Sequence, residues 1–201
     1  LVKLYLKYDR DMLALKSERG IVTREGMLHC QFVSAWTGRY AHRDIFGPNA
    51  KLDWTVEDGK GLLIVNSRGA SVYTGHAVRF GKGTKDRFCI DGPEFVAITV
   101  TSLDGISWRA LDESEKILIT ACGRCENTGM AFSEDRRTVG RNWGGPPVQI
   151  EAVTGTMKLP EGQWTCQALG PDGTPKCEVP VSNGVIKLSP EYGTMWYLLT
   201  R

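Results

Sequence analysis

The chain is built from short apolar segments separated by turn residues, and this pattern restricts the fold more than any other feature. Nearly every segment is rich in β-branched or aromatic residues and is bounded by Gly, Pro, Asn or Asp. Such residues favour strands, and turns at this frequency are typical of sandwiches and barrels. The sequence therefore predicts an all-β fold, an antiparallel β-sandwich. Strands are expected at 61–67, 70–80, 95–103, 116–122, 148–159, 163–169, 177–181, 184–189 and 194–200.

The same pattern suggests how the chain is divided. Weak helical spacing occurs only over residues 9–19, and the glycine that follows also fits a turn. A soft boundary falls near Pro160, because the residues after it resemble three short hairpin-like strand pairs. We expect an accessory β-sandwich over residues 1–159 and a small C-terminal β-unit over residues 160–201. That unit is either separate or part of the same sandwich.

The charge balance bears on the partners of the chain. The 25 Lys and Arg residues nearly match the 23 Asp and Glu residues, and the two signs are interspersed. This mild balance does not predict a nucleic-acid partner, and no apolar run has the length of a membrane span. No signal peptide is visible, but the chain begins at Leu1 rather than at methionine, as a trimmed or excised piece of a longer polypeptide would.

The chain contains one CxxC motif, Cys122 and Cys125. A zinc site needs about four suitably spaced ligands, but His29, His42 and His76 are scattered and no second CxxC occurs. A thioredoxin-like motif would lie at a helix N-terminus, whereas this one follows a predicted strand. We therefore predict a structural role, with Cys122 closing a buried strand and Cys125 in the loop after it.

Two further cysteines, Cys166 and Cys177, flank the segment QALGPDGTPK, which is typical of a hairpin turn. A symmetric hairpin would place the two residues opposite each other, at a separation that a disulfide can bridge. Two reduced, packed cysteines are equally compatible with the sequence, so both states and both redox compartments stay open at this point.

Nothing in the sequence supports catalysis by this chain alone. Glycoside hydrolysis requires two carboxylates roughly 5–10 Å apart across a cleft. Two local groups of acidic residues, at 112–115 and 126–135, cannot be paired across a cleft from sequence. Charged runs between strands are usually solvated surface. No GxSxG, HExxH, GxGxxG or P-loop motif occurs. We therefore expect a non-catalytic chain.

Aromatic residues in two polar loops suggest a different chemistry. One loop, at 34–48, carries several aromatic and basic residues, and the other, at 140–147, holds a tryptophan between polar residues and glycines. Sugars stack their CH faces on aromatic rings while their hydroxyls bond to polar side chains. Alternatively, these rings pack inward or against a neighbouring domain. The candidate carbohydrate-binding residues are Trp36, Tyr40, Arg43, Arg141, Asn142 and Trp143; Trp54, Trp164 and Trp196 lie in strand-like stretches and are expected in the core.

Residues 50–160 contain several segments that resemble a known group of protein domains. The segments LDWTVEDGKGLLIVNSRGASVYTGH and ILITACGRCENTGM, with the later WGGPPV, resemble accessory β-sandwich domains that follow the catalytic barrel in large bacterial glycoside hydrolases. Gly69 departs from the pattern of those domains, and the two CxxC cysteines occupy positions of small residues in it. The matching positions are Asp53–Trp54, Gly61–Val65, Ser67–Arg68, Asp104–Gly105, Gly123–Arg124, Glu126–Met130, Trp143–Gly144 and Pro147–Val148.

The resemblance implies a non-catalytic accessory region, no catalytic residues in this chain, and a parent enzyme that is secreted or displayed on the cell surface. Its partners would then be a polysaccharide or oligosaccharide and the catalytic domain of the parent. The polar residues of the loop after residue 122 are expected to bond within that loop or to a neighbour, namely Glu126, Asn127, Asp135, Arg136 and Arg141. No cofactor is expected, although Glu126 and Asn127 could together ligate a structural calcium ion.

Three functions follow for comparison with the structure. The first is a module that binds polysaccharide through exposed aromatic residues. The second is a structural domain that packs on a catalytic barrel and exposes an apolar patch when isolated. The third, a stand-alone glycoside hydrolase, requires paired carboxylates, or Cys with His, in one pocket. The sequence favours the first and is compatible with the second.

Overall fold

A computed structural model describes residues 21–22, 28–31, 51–67, 69–85, 87–104, 110–136 and 138–201. Strands make up 54% of it and helix 7%, so the prediction of an all-β antiparallel sandwich is confirmed. The predicted helical segment at residues 9–19 lies outside the described residues. In chain order the described strands are β1 (Ile21–Val22), β2 (Leu28–Gln31), β3 (Lys51–Glu57), β4 (Lys60–Asn66), β5 (Ala70–His76), β6 (Phe88–Gly92), β7 (Phe95–Ser102), β8 (Lys116–Cys122), β9 (Cys125–Thr128), β10 (Gly145–Ile150), β11 (Thr154–Lys158), β12 (Thr165–Leu169), β13 (Pro175–Glu178), β14 (Val181–Ser182), β15 (Val185–Leu188) and β16 (Trp196–Thr200).

Two sheets of unequal width enclose the core. Within the described residues, the large sheet has the strand order β1-β2-β3-β4-β5-β7-β8-β16-β12-β13, and the small sheet has the order β14-β15-β11-β6. Every pairing in both sheets is antiparallel. A separate pair, β9 and β10, forms an extension of its own. The large sheet is therefore wider than the small sheet that packs on it.

Strict alternation of side chains places the core between the sheets. In β7, Val96, Ile98 and Val100 are buried while the intervening residues are only partly covered, and β8 shows the same alternation. Because successive side chains in a strand point to opposite faces, one face of each strand lines the core. The small sheet contributes Phe88, Met157, Ile186 and Leu188 from its own strands.

The residues after Pro160 supply strands to both sheets. β12, β13 and β16 belong to the large sheet, and β14 and β15 belong to the small one. Their buried side chains, including Trp164 and Tyr197, lie in the same hydrophobic cluster as Leu62 and Ile98 from the first part of the chain. The N-terminal and C-terminal parts of the described chain therefore share one core.

Several expected strands differ in extent from those observed. The segment 70–80 ends as a strand at His76 and continues as a 3₁₀ turn (Ala77–Arg79) and a one-turn helix, α1 (Phe80–Gly83). The segment 148–159 is divided between β10 and β11, and 177–181 between β13 and β14. Strands β1, β2, β3, β6 and β9 were not among the expected ones. The two-residue turn between β3 and β4, Asp58–Gly59, has positive φ at both residues, as tight hairpins require.

Candidate functional site

A hairpin of residues 125–150, here called the arm, extends from the sandwich. It leaves at the end of β8, and two backbone bonds close its base: Gly123 N donates to the Glu151 carbonyl oxygen (2.9 Å), and Glu151 N donates to that of Arg124 (2.9 Å). The Glu151 carboxylate also accepts from Arg124 N at 2.8 Å. The described side chains of the arm are partly or largely exposed. The arm is thus an ordered projection rather than a part of the core.

Contacts within the arm hold its shape. β9 and β10 pair with a register shift between Gly145 and Val148, and Phe132 bridges Val139 nearer the tip. The Arg136 guanidinium lies 4.2 Å over the Phe132 ring and pairs with the Glu126 carboxylate. A cation lying over a ring and paired with a carboxylate ties the tip to the base of the arm.

The expected hydrogen bonds in this loop are confirmed for four of the five residues. Glu126 pairs with Arg136, Asn127 Nδ2 donates to the Trp143 carbonyl oxygen, and the Asp135 carboxylate accepts from Ser133 Oγ. The fifth residue, Arg141, is exposed. Pairing of the Glu126 carboxylate with a guanidinium makes it a poor calcium ligand. Among the described residues, no group of three or more His, Cys, Asp or Glu could hold a metal ion.

Trp143 is the most exposed tryptophan in the described part of the chain, at 59% of its surface. Its neighbours Arg141 and Asn142 are also exposed. The backbone beneath the ring is fixed by the 3.0 Å bond from Asn127 Nδ2 to the Trp143 carbonyl oxygen. Gly144 has φ of +64°, and a Cβ there would lie 2.3 Å from the Thr128 carbonyl oxygen, so only glycine fits.

The structure thus brings together three of the six candidate residues: Arg141, Asn142 and Trp143 are consecutive in one exposed segment. The other three, Trp36, Tyr40 and Arg43, lie outside the described residues. Their prediction as carbohydrate ligands stays a prediction. The candidate site within the described chain is accordingly the Trp143 segment of the arm.

The expectation that three other tryptophans are core residues is correct for only one. Trp164 is 6% exposed, donates from Nε1 to the Pro160 carbonyl oxygen (2.9 Å), and lies under the Arg201 guanidinium at 4.6 Å. Trp54 is 40% exposed. Trp196 is only partly buried, because its strand points Tyr197 and Leu199 into the core. The prediction was therefore wrong for Trp54 and Trp196.

The register of the large sheet explains where those two rings lie. Directly opposite residues on paired strands share a face. Trp54 shares a row with Leu63, Thr74 and Ala97 on the outer face. The next row is Leu52, Val65, Val72, Thr99, Thr120 and Trp196. The outer face is therefore a second, partly apolar surface with aromatic residues, which the apolar–polar alternation of KLDWTVE does not distinguish from a core face.

The CxxC motif lies at the junction of two strands. Cys122 ends β8, as predicted, whereas Cys125 begins β9 instead of lying in a loop. Burial, and then the charge of Cys125, raise the pKa of the Cys122 thiol. Metal ligation and disulfide exchange use the thiolate, which a raised pKa disfavours. The motif is a strand end followed by a strand start.

Cys166 and Cys177 are both free thiols. The hairpin between them is not symmetric: Ala168, not Cys166, is the partner of Cys177, and the register shifts between Ala168 and Leu169. Cys166 is buried in the core, and Cys177 is exposed. The structure therefore shows two reduced cysteines, of which Cys166 is packed and Cys177 is not.

Comparison with models of protein families, with curated proteins and with solved structures gave no match. Among the described residues, none of the helices has the length and apolar character that crossing a membrane would require.

Proposed function

We propose that this chain is a non-catalytic accessory domain of a carbohydrate-active enzyme and that it binds polysaccharide through the exposed segment Arg141–Asn142–Trp143. The observation that carries this proposal is the 59% exposure of Trp143 on a braced backbone. Large aromatic side chains are usually well covered in folded proteins, so an exposed ring in an ordered arm is informative. Its display on an ordered element suits a ligand.

The chemistry of the segment fits a sugar. In water, the CH face of a pyranose has few apolar groups to contact. An indole ring offers that face a flat apolar surface. The Arg141 guanidinium donates to hydroxyl oxygens, and the Asn142 amide both donates and accepts. A ring flanked by these two side chains therefore supplies the stacking and the hydrogen bonds that a carbohydrate site requires.

The rigidity of the arm favours binding as well. Ordering a flexible loop on a ligand costs free energy, which a preformed loop avoids. Here the Asn127 bond to the Trp143 carbonyl oxygen and the positive φ of Gly144 fix the backbone before a ligand arrives. The resemblance to accessory domains of bacterial glycoside hydrolases supports the same function. It also supports a secreted or cell-surface parent whose catalytic domain is the other partner.

Affinity electrophoresis tests this proposal. The chain is run through gels that contain one soluble polysaccharide each, beside Trp143→Ala and Trp54→Ala. We expect one polysaccharide class to retard the wild type and Trp54→Ala, but not Trp143→Ala. Trp54 is the matched control because it is also an exposed tryptophan, on the outer sheet face. Retardation lost only in Trp54→Ala would move the site to that face, and no retardation in any gel would refute binding by the chain.

A second candidate function is docking on a catalytic domain, which a different observation favours. Val148 and Ile150 are both exposed on β10, and being two positions apart they point to the same side of the strand. Apolar side chains that the fold itself leaves uncovered suit a contact with another domain. Catalysis by the chain itself has no supporting arrangement among the described residues.

Replacing the two residues together tests the docking alternative. In Val148→Ser/Ile150→Thr we expect weaker binding of a hydrophobic dye and an unchanged midpoint of thermal unfolding, since neither side chain is in the core. Val153→Ser serves as the buried control and should unfold at a lower temperature. A comparable fall in the unfolding midpoint of Val148→Ser/Ile150→Thr would show that the two residues stabilise the chain itself and would count against docking.

A further inference from the structure

An open cleft of about 550 Å³ lies at one end of the sandwich, far from the arm. Asn66 and Ser71 line it from the ends of β4 and β5, and Arg87 and Lys158 line it from the ends of the small-sheet strands β6 and β11. The cleft adjoins the start of β8, whereas the arm follows its end. Seven extended residues separate these ends, so the two sites are roughly 20 Å apart.

Three cationic side chains line the cleft: Lys85, Arg87 and Lys158. Within the described residues none of them takes part in a salt bridge. Arg87 is held in place because its Nη1 donates to the Tyr73 hydroxyl (3.3 Å) and its carbonyl oxygen accepts from Lys158 N (2.8 Å). Cations that line one cleft and form no salt bridge attract an anion.

A serine side chain lines the same cleft. Ser71 is 4% exposed and makes no side-chain hydrogen bond to any described residue. A serine hydroxyl both donates and accepts hydrogen bonds, so a ligand oxygen in the cleft can bond to it. A hydroxyl in the same cleft as the cations suits an oxygen-rich ligand.

Carboxylates line the cleft as well. Asp112 and Glu161 are exposed lining residues, and the Arg201 guanidinium donates to their backbone carbonyl oxygens at 2.7 and 2.9 Å. A free inorganic anion gains nothing from carboxylates, since they repel it. A sugar acid does gain, because its hydroxyls donate to them while its charged group faces the cations.

We propose that this cleft binds one acidic sugar unit, with its carboxylate or sulfate ester at Lys85, Arg87 and Lys158 and its hydroxyls at Ser71, Asp112 and Glu161. The volume suits a ligand of mono- or disaccharide size. This inference rests on the proposed function and adds the ligand class: an acidic glycan, bound at a site separate from Trp143.

Isothermal titration of the full chain tests this inference. The probes are glucuronate, glucose 6-sulfate, neutral glucose and inorganic sulfate, which separate a carboxylate, a sulfate ester, the sugar alone and the anion alone. We expect one acidic sugar to bind at least about 10-fold more tightly than both glucose and inorganic sulfate. In Lys85→Gln/Lys158→Gln its affinity should fall by about 10-fold or more, since charge-assisted hydrogen bonds are lost. The control Lys187→Gln removes an exposed charge from β15 and should bind as the wild type does.

Ser71→Ala gives a second, milder readout. We expect its affinity for the acidic sugar to fall by about 3-fold or more, at an unchanged unfolding temperature. Equal binding of glucose and the sugar acids, equal binding of inorganic sulfate, or wild-type affinity in the double lysine variant would each overturn the inference. Retardation by polysaccharide that depends on Trp143 but not on the lysines would leave the proposed function standing and refute the acidic site alone. Loss of retardation in every gel, with sugar-acid binding intact, would leave the acidic site standing and refute polysaccharide binding by the Trp143 segment.

Discussion

Three tryptophans show how the environment of one residue type decides its role. Trp164 lies in the core, with its ring nitrogen bonded and a guanidinium over its face, and it stabilises the fold. Trp54 is on the outer sheet face, and Trp143 is on a projecting arm. Only Trp143 combines high exposure with a braced backbone and polar neighbours. That combination, rather than the residue type, makes it the candidate sugar ligand.

At the residue scale, the Cys166 thiol makes the stability of the folded state depend on pH. Burial raises its pKa from 9.0 to about 12. The folded state thus keeps the thiol protonated while the unfolded chain ionises near pH 9, so the stability it contributes is present below pH 9 and is lost as pH rises towards 12. Between pH 8 and pH 10 this loss is about 1 kcal/mol.

Urea unfolding at pH 8 and pH 10 measures this loss. We expect Cys166→Ala to lose less stability between the two pH values than the wild type does. Cys177→Ala removes an exposed thiol of the same sheet and should behave as the wild type. Equal losses in all three proteins would contradict the assignment of a buried, protonated thiol to Cys166.

The backbone of Lys85 gives a second prediction at this scale. Its φ of +53° is in the left-handed region, which disfavours residues with a Cβ. Lys85→Gly should therefore raise the free energy of unfolding by about 0.5–1 kcal/mol, and weaken binding of the acidic sugar as well. The control is Lys82→Gly within α1, which should lower the stability by up to about 1 kcal/mol. Chemical denaturation measures both, and a destabilised Lys85→Gly would refute the strain argument.

At the scale of elements, the arm is the feature that sequence patterns predict least well. The segment Asn127–Thr128–Gly129 is typical of a turn, but Asn127 and Thr128 belong to β9. The pairing of β9 with β10 has a register shift around Pro146 and Pro147, so the alternation that identifies a strand is interrupted there. By contrast, buried and less buried side chains alternate along β7 and β8. The sequence places β4, β7 and β8 within a residue of their observed bounds.

Gly144 tests whether the arm depends on local geometry. A Cβ at this position would lie 2.3 Å from the Thr128 carbonyl oxygen and 2.6 Å from Met130 N. Gly144→Ala should open the arm locally by about 2 kcal/mol or more, with the sandwich intact. Hydrogen exchange of the Met130 amide, which bonds to the Asn127 carbonyl oxygen, measures the opening.

Gly140→Ala is the matched control for this measurement. It lies in the same arm, and a Cβ added at this glycine would have no atom within 4 Å of it. Exchange of the Met130 amide should be unchanged in this variant. Slow exchange in Gly144→Ala as well would show that the arm tolerates the added methyl group and would refute the steric argument.

At the scale of the whole molecule, turn and strand patterns predict the fold class but not the difference in sheet width. The small sheet packs against the large sheet at β5, where the rings of Tyr73 and Phe88 lie edge to face with their centroids 4.8 Å apart. Strand β3 lies two strands further along the large sheet, and its residues Leu52 and Trp54 lie in rows on the outer face of that sheet. Pairing distant in sequence sets that width. The register of β3 with β4 and β5 places Trp54 on the outer face, which the local apolar–polar pattern of β3 does not reveal.

The same long-range pairing separates the two proposed binding sites. Strand β8 spans the sandwich between them, with the acidic-sugar cleft beside its first residues and the arm after its last. Sites at opposite ends of a rigid sheet should bind independently, since distant substitutions usually act additively. Two sites on one chain also raise the avidity for a long polymer that can reach both.

The central claim is that the Trp143 ring is a sugar-stacking surface, and its most direct test compares Trp143→Ala with Trp143→Phe. Fluorescence titration with the polysaccharide that retards the wild type gives the Kd of each. We predict that Trp143→Phe retains most of the affinity, since a flat ring remains, and that Trp143→Ala loses about 10-fold or more. Equal affinities in Trp143→Ala and the wild type would contradict the claim.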